Sequence, residues 1–138
     1  MRPDWDTYFM NIAEVVKTRS LDFKKVGAVL VSCFDKRIIS TGYNGIRSGL
    51  QDYEIDWNNR ELVHDVVIHA ETNAVLYAQS KFENAILYTT LSPCKSCIKL
   101  LSATNIKQII YKDKHKDIDK VKELCQFYSI EMTQYKTP

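Results

Sequence analysis

Two short motifs bring a histidine, a carboxylate and two cysteines into play, His69-Ala70-Glu71 and Pro93-Cys94-Lys95-Ser96-Cys97. Cys94 and Cys97 are three residues apart, so in the first turn of a helix both sulfurs face one way. The free N–H groups of that turn favour the thiolate form that a soft divalent metal requires. His69 adds a neutral nitrogen. Two thiolates and one imidazole fill three positions of a tetrahedral zinc ion and leave the fourth to water, the ligand count of a catalytic site. Glu71, two residues from the histidine, can lie beside the metal without binding it, take a proton from that water and hand it to a leaving group. A closed structural site would need a fourth protein ligand, for which His64, His115 and Cys125 are available, and would leave Glu71 without a purpose.

The elements that must position these groups follow from periodicity. Apolar residues recur at helical spacing from 4 to 17, with Asp4 as N-cap. Two β-rich runs, 26–33 and 37–41, are split by the turn Phe34-Asp35-Lys36 and pair antiparallel. From 42 to about 62 runs a stretch with three of the four glycines (Gly42, Gly45, Gly49) and no period, read as a functional loop that carries Tyr43, Tyr53 and Trp57. Helices at 69–79, 94–104 and 117–128 then alternate with strands at 86–90, 108–111 and 130–133. This order predicts an α/β fold, a three-layer α/β/α sandwich around a five-stranded mixed sheet. Both metal-ligand motifs open helices. Tyr8, Phe9, Tyr88, Phe127 and Tyr128 are expected in the core, as are Cys33 and Cys125.

At 138 residues the chain fits one domain spanning 1–138. The net charge of +2, from 19 basic and 17 acidic residues, is too small to predict binding to polymeric nucleic acid. No run approaches the roughly 20 apolar residues of a membrane span, and the first residues lack the apolar core of a signal peptide. No membrane association is expected. The four cysteines read as thiols or metal ligands in a reducing cytoplasm, a host's if the gene is viral.

H-x-E followed by P-C-x-x-C is the signature of zinc nucleobase deaminases, in which water displaces a ring amine as ammonia. The whole chain resembles the deoxycytidylate (dCMP) deaminases of the cytidine-deaminase-like superfamily. The residues that carry the resemblance are Arg19-Ser20 before Val26-Gly27-Ala28-Val29, Gly42-Tyr43-Asn44-Gly45, Gly49, the Asp52 to Trp57 spacing, His69-Ala70-Glu71-Thr72-Asn73-Ala74, and Ser92-Pro93-Cys94 through Cys97.

The resemblance implies one catalytic zinc on His69, Cys94 and Cys97, Glu71 as proton shuttle, the Ala70 N–H on the pyrimidine O2, the Ser92 carbonyl on the exocyclic amine, and Asn44 with Gly45 at the deoxyribose. A 5′-phosphate needs cations, and the basic segment of Lys17, Arg19, Lys24 and Lys25, Arg19 and Lys25 foremost, with the loop at His115, is expected to supply them. Where relatives commonly carry a tyrosine, this chain has His115. The resemblance further implies a homohexamer activated by dCTP and inhibited by dTTP with Mg2+, with Asn44, Asp52 and Trp57 near the effector. No second zinc is expected. The product would be dUMP, the precursor of thymidylate. Competing readings are a bifunctional enzyme that also accepts dCTP, and a catalytically silent nucleotide-binding relative.

Overall fold

The computed structural model describes residues 1–79 and 81–138. Helix α1, Trp5–Lys17, starts where the Asp4 carboxylate accepts the Thr7 N–H at 2.8 Å. It buries Phe9, Met10 and Ala13 on one stripe. Strands β1 (Gly27–Ser32) and β2 (Ile38–Tyr43) pair antiparallel through a turn in which Lys36 takes a left-handed φ of 59°. The remaining elements are α2 (Arg60–Val66), α3 (Ala70–Leu76), β3 (Ala85–Leu91), α4 (Lys95–Leu101), β4 (Ile106–Asp113), α5 (Ile118–Tyr128) and β5 (Glu131–Gln134).

The sheet runs β2-β1-β3-β4-β5, with β1 antiparallel to both its neighbours and β3, β4 and β5 mutually parallel. The crossovers β3-α4-β4 and β4-α5-β5 step across the sheet in the same direction. Right-handed crossover therefore puts α4 and α5 on one face. There, with α3, they cover Ala28, Leu30, Leu87 and Ile109 with Ile98, Leu101 and Val121. Alternate strand residues point the other way, so Val29, Val31, Ile86, Tyr88 and Ile110 meet Phe9, Met10 and Ala13 of α1. The three layers and five-stranded mixed sheet are those the element order predicted. No helix of the described residues is long and apolar enough to cross a membrane.

Four local expectations are corrected. The stretch read as loop contains a single 3-10 turn, Asp52–Glu54, and the start of α2, whose cap Asn59 accepts the Leu62 N–H at 3.2 Å. Helices α3 and α4 stop at Leu76 and Leu101, three residues short of the limits that periodicity gave. Phe127 is 81% exposed, because Val121 and Cys125 define the buried stripe of α5 and Phe127 falls outside it. Tyr8 is partly exposed beside Phe9, and Cys33 is half-buried, whereas Phe9, Tyr88 and Cys125 are buried.

Gly42 sets the spacing that matters most for the site. A Cβ there would collide with the carbonyl of Ala70 and the N–H of Ala74, so only glycine lets α3 lie directly on β2. The Ser40 hydroxyl adds a hydrogen bond to the Ala74 carbonyl.

Candidate active site

His69 is the N-cap of α3 and Cys94 the N-cap of α4, with Cys97 inside the first turn of α4. The segment before His69 is pinned to the loop after β2: the Gly45 N–H donates to the Ile68 carbonyl at 3.1 Å, and the Ile68 N–H returns to the Gly45 carbonyl at 2.9 Å. Asn73 tightens the same junction, donating to the carbonyls of Tyr43 (2.8 Å) and Ile68 (3.3 Å). On the other side Leu91, the last residue of β3, leads into Ser92, whose N–H reaches the Asp113 carbonyl at 2.9 Å. Two helix starts are thereby brought face to face at the C-terminal end of β3.

His69 Nδ1 lies 3.0 Å from Cys97 Sγ and 3.6 Å from Cys94 Sγ, and the three donor atoms all fall within 4.8 Å of one another. Tetrahedral zinc with its usual bond lengths spaces such donors by roughly 3.5–3.8 Å. The donor set fits the ion. Among the described residues His64, His115 and Cys125 do not join this group, so the three donors stand without a fourth. Cys125 instead packs against Met132 Sδ in the core.

Hydrogen bonding from Cys97, aided by His69 and opposed by burial, draws the Cys94 thiol down to about 3. The same contact, together with burial, pushes Cys97 upward. His69 is raised, chiefly by its hydrogen bond to Cys94, against its own desolvation. The arrangement thus favours the thiolate form of Cys94. Glu71 is 4% exposed, and burial raises its carboxyl above the ordinary range despite the His69 charge and a hydroxyl from Thr89 at 3.2 Å.

These groups open into a cavity of about 270 Å³. His69, Ala70, Glu71 and Cys94 form one end. The run entering β1 supplies Asp22, Lys24 and Val26, and α2 supplies Arg60, Val63 and His64. Asn44, Leu91, Ser92 and His115 complete the wall. The Asp117 N–H donates to His115 Nδ1 at 3.0 Å, which makes Nδ1 an acceptor and leaves Nε2 as the ring's donor. The His115 N–H in turn donates to Ser92 Oγ at 2.7 Å.

Several residues singled out from sequence stand elsewhere or are otherwise engaged. Arg19 and Lys25 do not line the cavity, whereas Lys24, in the bend at 22–24 ahead of β1, does. Gly45 is not in the wall either, and its backbone is taken up by Ile68. Asn44 lines the cavity, but its Oδ1 accepts the Val26 N–H at 2.8 Å and its Nδ2 donates to the Lys24 carbonyl at 2.8 Å. Asp52 and Trp57 lie outside the wall, with Trp57 Nε1 donating to the Asp52 carbonyl at 2.9 Å.

Arg60 and Asp22 were not foreseen. Arg60 reaches the cavity clamped three ways: its Nη2 donates to Asp22 Oδ1 at 2.9 Å, its Nη1 to the Trp57 carbonyl at 3.0 Å, and its guanidinium lies 4.1 Å from the Phe23 ring centroid. The Asn59 cap and the acid Glu61 in the first turn were the available signals for its helix.

The family model for the cytidine and deoxycytidylate deaminase zinc-binding region matches residues 3–113. The deoxycytidylate deaminase of Mycobacterium phage D29 is 36% identical over 129 residues, covering 80% of this chain and 95% of the relative. The human deoxycytidylate deaminase is 34% identical over 124 residues, covering 84% of this chain and 69% of the relative. Among solved structures, dCMP deaminase of the cyanophage S-TIM5, determined with dCMP and dUMP, aligns with a TM-score of 0.78 at 25% identity over 98% of this chain and 99% of that one. The histidine, the glutamate and the cysteine pair thus sit within the matched region, and the chain belongs to the cytidine and deoxycytidylate deaminase family, in its dCMP deaminase branch.

Proposed function

We propose that the protein hydrolyses dCMP to dUMP and ammonia, with His69, Cys94 and Cys97 holding zinc and Glu71 moving the protons. The observation that carries this reading is a buried carboxylate, Glu71, in the wall of the same cavity as a three-donor cluster with no fourth protein ligand. The chain's similarity to deoxycytidylate deaminases and to a structure that holds dCMP and dUMP supports the choice of substrate.

Zinc bound there supplies Lewis-acid activation of water at neutral pH. Glu71 takes a proton from the attacking water as its oxygen bonds to C4 of cytosine, and delivers it to N3. It then moves the remaining proton of that oxygen to the amine, so that the C4 carbonyl forms, the C4–N4 bond breaks and ammonia leaves. A carboxyl whose burial favours the protonated form suits both halves of that task. The Ala70 N–H, free at the first position of α3, is placed to hold the pyrimidine O2. The Ser92 carbonyl, which takes no hydrogen bond from the described residues, is placed to receive the exocyclic amine. The 5′-phosphate goes to the cations of the wall, Lys24 and Arg60, and to the Nε2–H of His115.

The same proposal includes activation by dCTP, inhibition by dTTP with Mg2+, assembly as a homohexamer and a cytoplasmic setting, all of which rest on the family resemblance. Ammonia release from zinc-loaded protein given dCMP, dCTP, deoxycytidine or CMP, each with and without dTTP and Mg2+, is the test. Preference for dCMP supports the reading. Equal turnover of dCTP favours a bifunctional enzyme, and no turnover despite bound zinc overturns the proposal.

A further inference from the structure

Asn44 is the residue that family resemblance assigns to the sugar, yet both ends of its amide are used to hold the backbone of Lys24 and Val26. Its remaining donation, to Asp22 Oδ2, spans 3.4 Å. Asp22 is the neighbouring polar group with capacity left. Its side chain is only 10% exposed, and its two oxygens are unequally loaded. Oδ1 accepts its neighbour's N–H, from Phe23 at 2.7 Å, and the Arg60 guanidinium at 2.9 Å, whereas Oδ2 has only the long Asn44 contact. A carboxylate oxygen takes about two hydrogen bonds, so Oδ2 keeps an acceptor position open.

A carboxylate offers no donors, so the group that fills this position must be one. A phosphate is repelled there. Of the parts of a deoxynucleotide, a sugar hydroxyl supplies the donor, and in a 2′-deoxynucleotide monophosphate substituted at the 5′ position the 3′-hydroxyl alone remains. Asp22 lines the same cavity of about 270 Å³ as His69, Ala70 and Glu71, so one bound nucleotide can meet both ends. The Arg60 clamp fixes the carboxylate in orientation, and that guanidinium in turn is held by Trp57 and Phe23.

We infer that Asp22 Oδ2 is the acceptor for the 3′-hydroxyl of the substrate's deoxyribose, making Asp22 a specificity-determining residue. Asn44 is the brace that keeps the Asp22–Val26 run in place. The inference rests on the nucleotide deaminase reading given above.

The test compares kcat/KM for dCMP and for 2′,3′-dideoxycytidine monophosphate in the zinc-loaded wild type, D22N and D22A. The wild type should prefer dCMP by about ten- to a hundredfold, the loss expected when a hydrogen bond to a charged acceptor is removed. D22A should lower dCMP turnover well beyond any loss that both substrates share through the freed Arg60 guanidinium, so that the preference collapses toward one; D22N should fall between. A purely structural role for Asp22 would depress both substrates alike and preserve the ratio, which overturns the inference, as does a wild type that does not distinguish the two. Failure of the wild type to deaminate dCMP would refute the activity itself, and wild-type discrimination is read without any variant.

Discussion

The hydroxyl of Thr89 lies 3.2 Å from Glu71 Oε1 and 2.8 Å from the carbonyl oxygen of Leu91. It has one proton and two lone pairs, so it can donate to the Glu71 carboxylate or accept from the protonated acid while donating to Leu91. Thr89 is fully buried on β3, opposite Ala28, and so provides a rigid partner for a group that must serve as base and acid in one cycle.

Thr89→Val keeps the side-chain shape and removes that partner. It should lower kcat by about tenfold with little change in KM, the effect of one lost hydrogen bond at the reacting group. Thr89→Ser should restore the rate. A valine variant with unchanged kcat would remove Thr89 from the proton path.

Gly42→Ala forces α3 away from β2. Overpacking of this kind costs about 1–3 kcal/mol of stability, and it displaces His69 together with its helix. Denaturant unfolding should therefore show a lower midpoint, with zinc affinity falling in the same variant. A Gly42→Ala protein as stable as the wild type would contradict a close contact between α3 and β2 at this position.

Zinc removal bears on the three-donor cluster. Cys97→Ser and chelator treatment of the wild type should each abolish ammonia release, and only the chelated wild type should recover fully on adding zinc. Atomic absorption should find about one zinc per chain in the wild type and well below that in Cys97→Ser. Full metal content in Cys97→Ser would remove this sulfur from the ligand set.

Glu71 also makes a pH prediction. Burial raises its carboxyl in the folded state, so between the ordinary carboxyl value of 4.5 and the raised one the native chain binds a proton that the unfolded chain does not. Its contribution is full below the unfolded value and is lost as pH rises through the folded one. Metal-stripped Glu71→Gln should therefore be more stable than metal-stripped wild type at neutral pH, with the gap closing as pH falls toward 4.5. Thermal melts across that range measure it; a gap that widens on acidification contradicts the sign.

The reacting centre was legible in the sequence because its chemistry is local. His69 and Glu71 share one helix start, and Cys94 and Cys97 share another. The layers were legible too, since strands and helices alternate with clear periods. The cavity wall was legible in part: Asn44, Ala70, Ser92 and His115, named from the sequence, line it, whereas the inward lysine and Arg60 could not be read. Whether Lys24 or Lys25 faces inward depends on the bend at 22–24, where the Asn44 amide holds the Lys24 carbonyl. Arg60 sits on a helix of seven residues, too short to leave a readable period, in a stretch whose glycines and acids read as loop. Asn44 lies where the motif puts it, but its amide is spent on backbone groups 18 and 20 residues away, pairings that no local pattern reveals.

The most direct measurement is the activity of zinc-loaded Glu71→Gln on dCMP. Zinc content and fold should match the wild type while ammonia release falls by at least about 10²- to 10⁴-fold, the contribution of a positioned general acid–base group. A Glu71→Gln enzyme that binds zinc and keeps most of its kcat would contradict the proton-shuttle role and, with it, the mechanism assigned to the site.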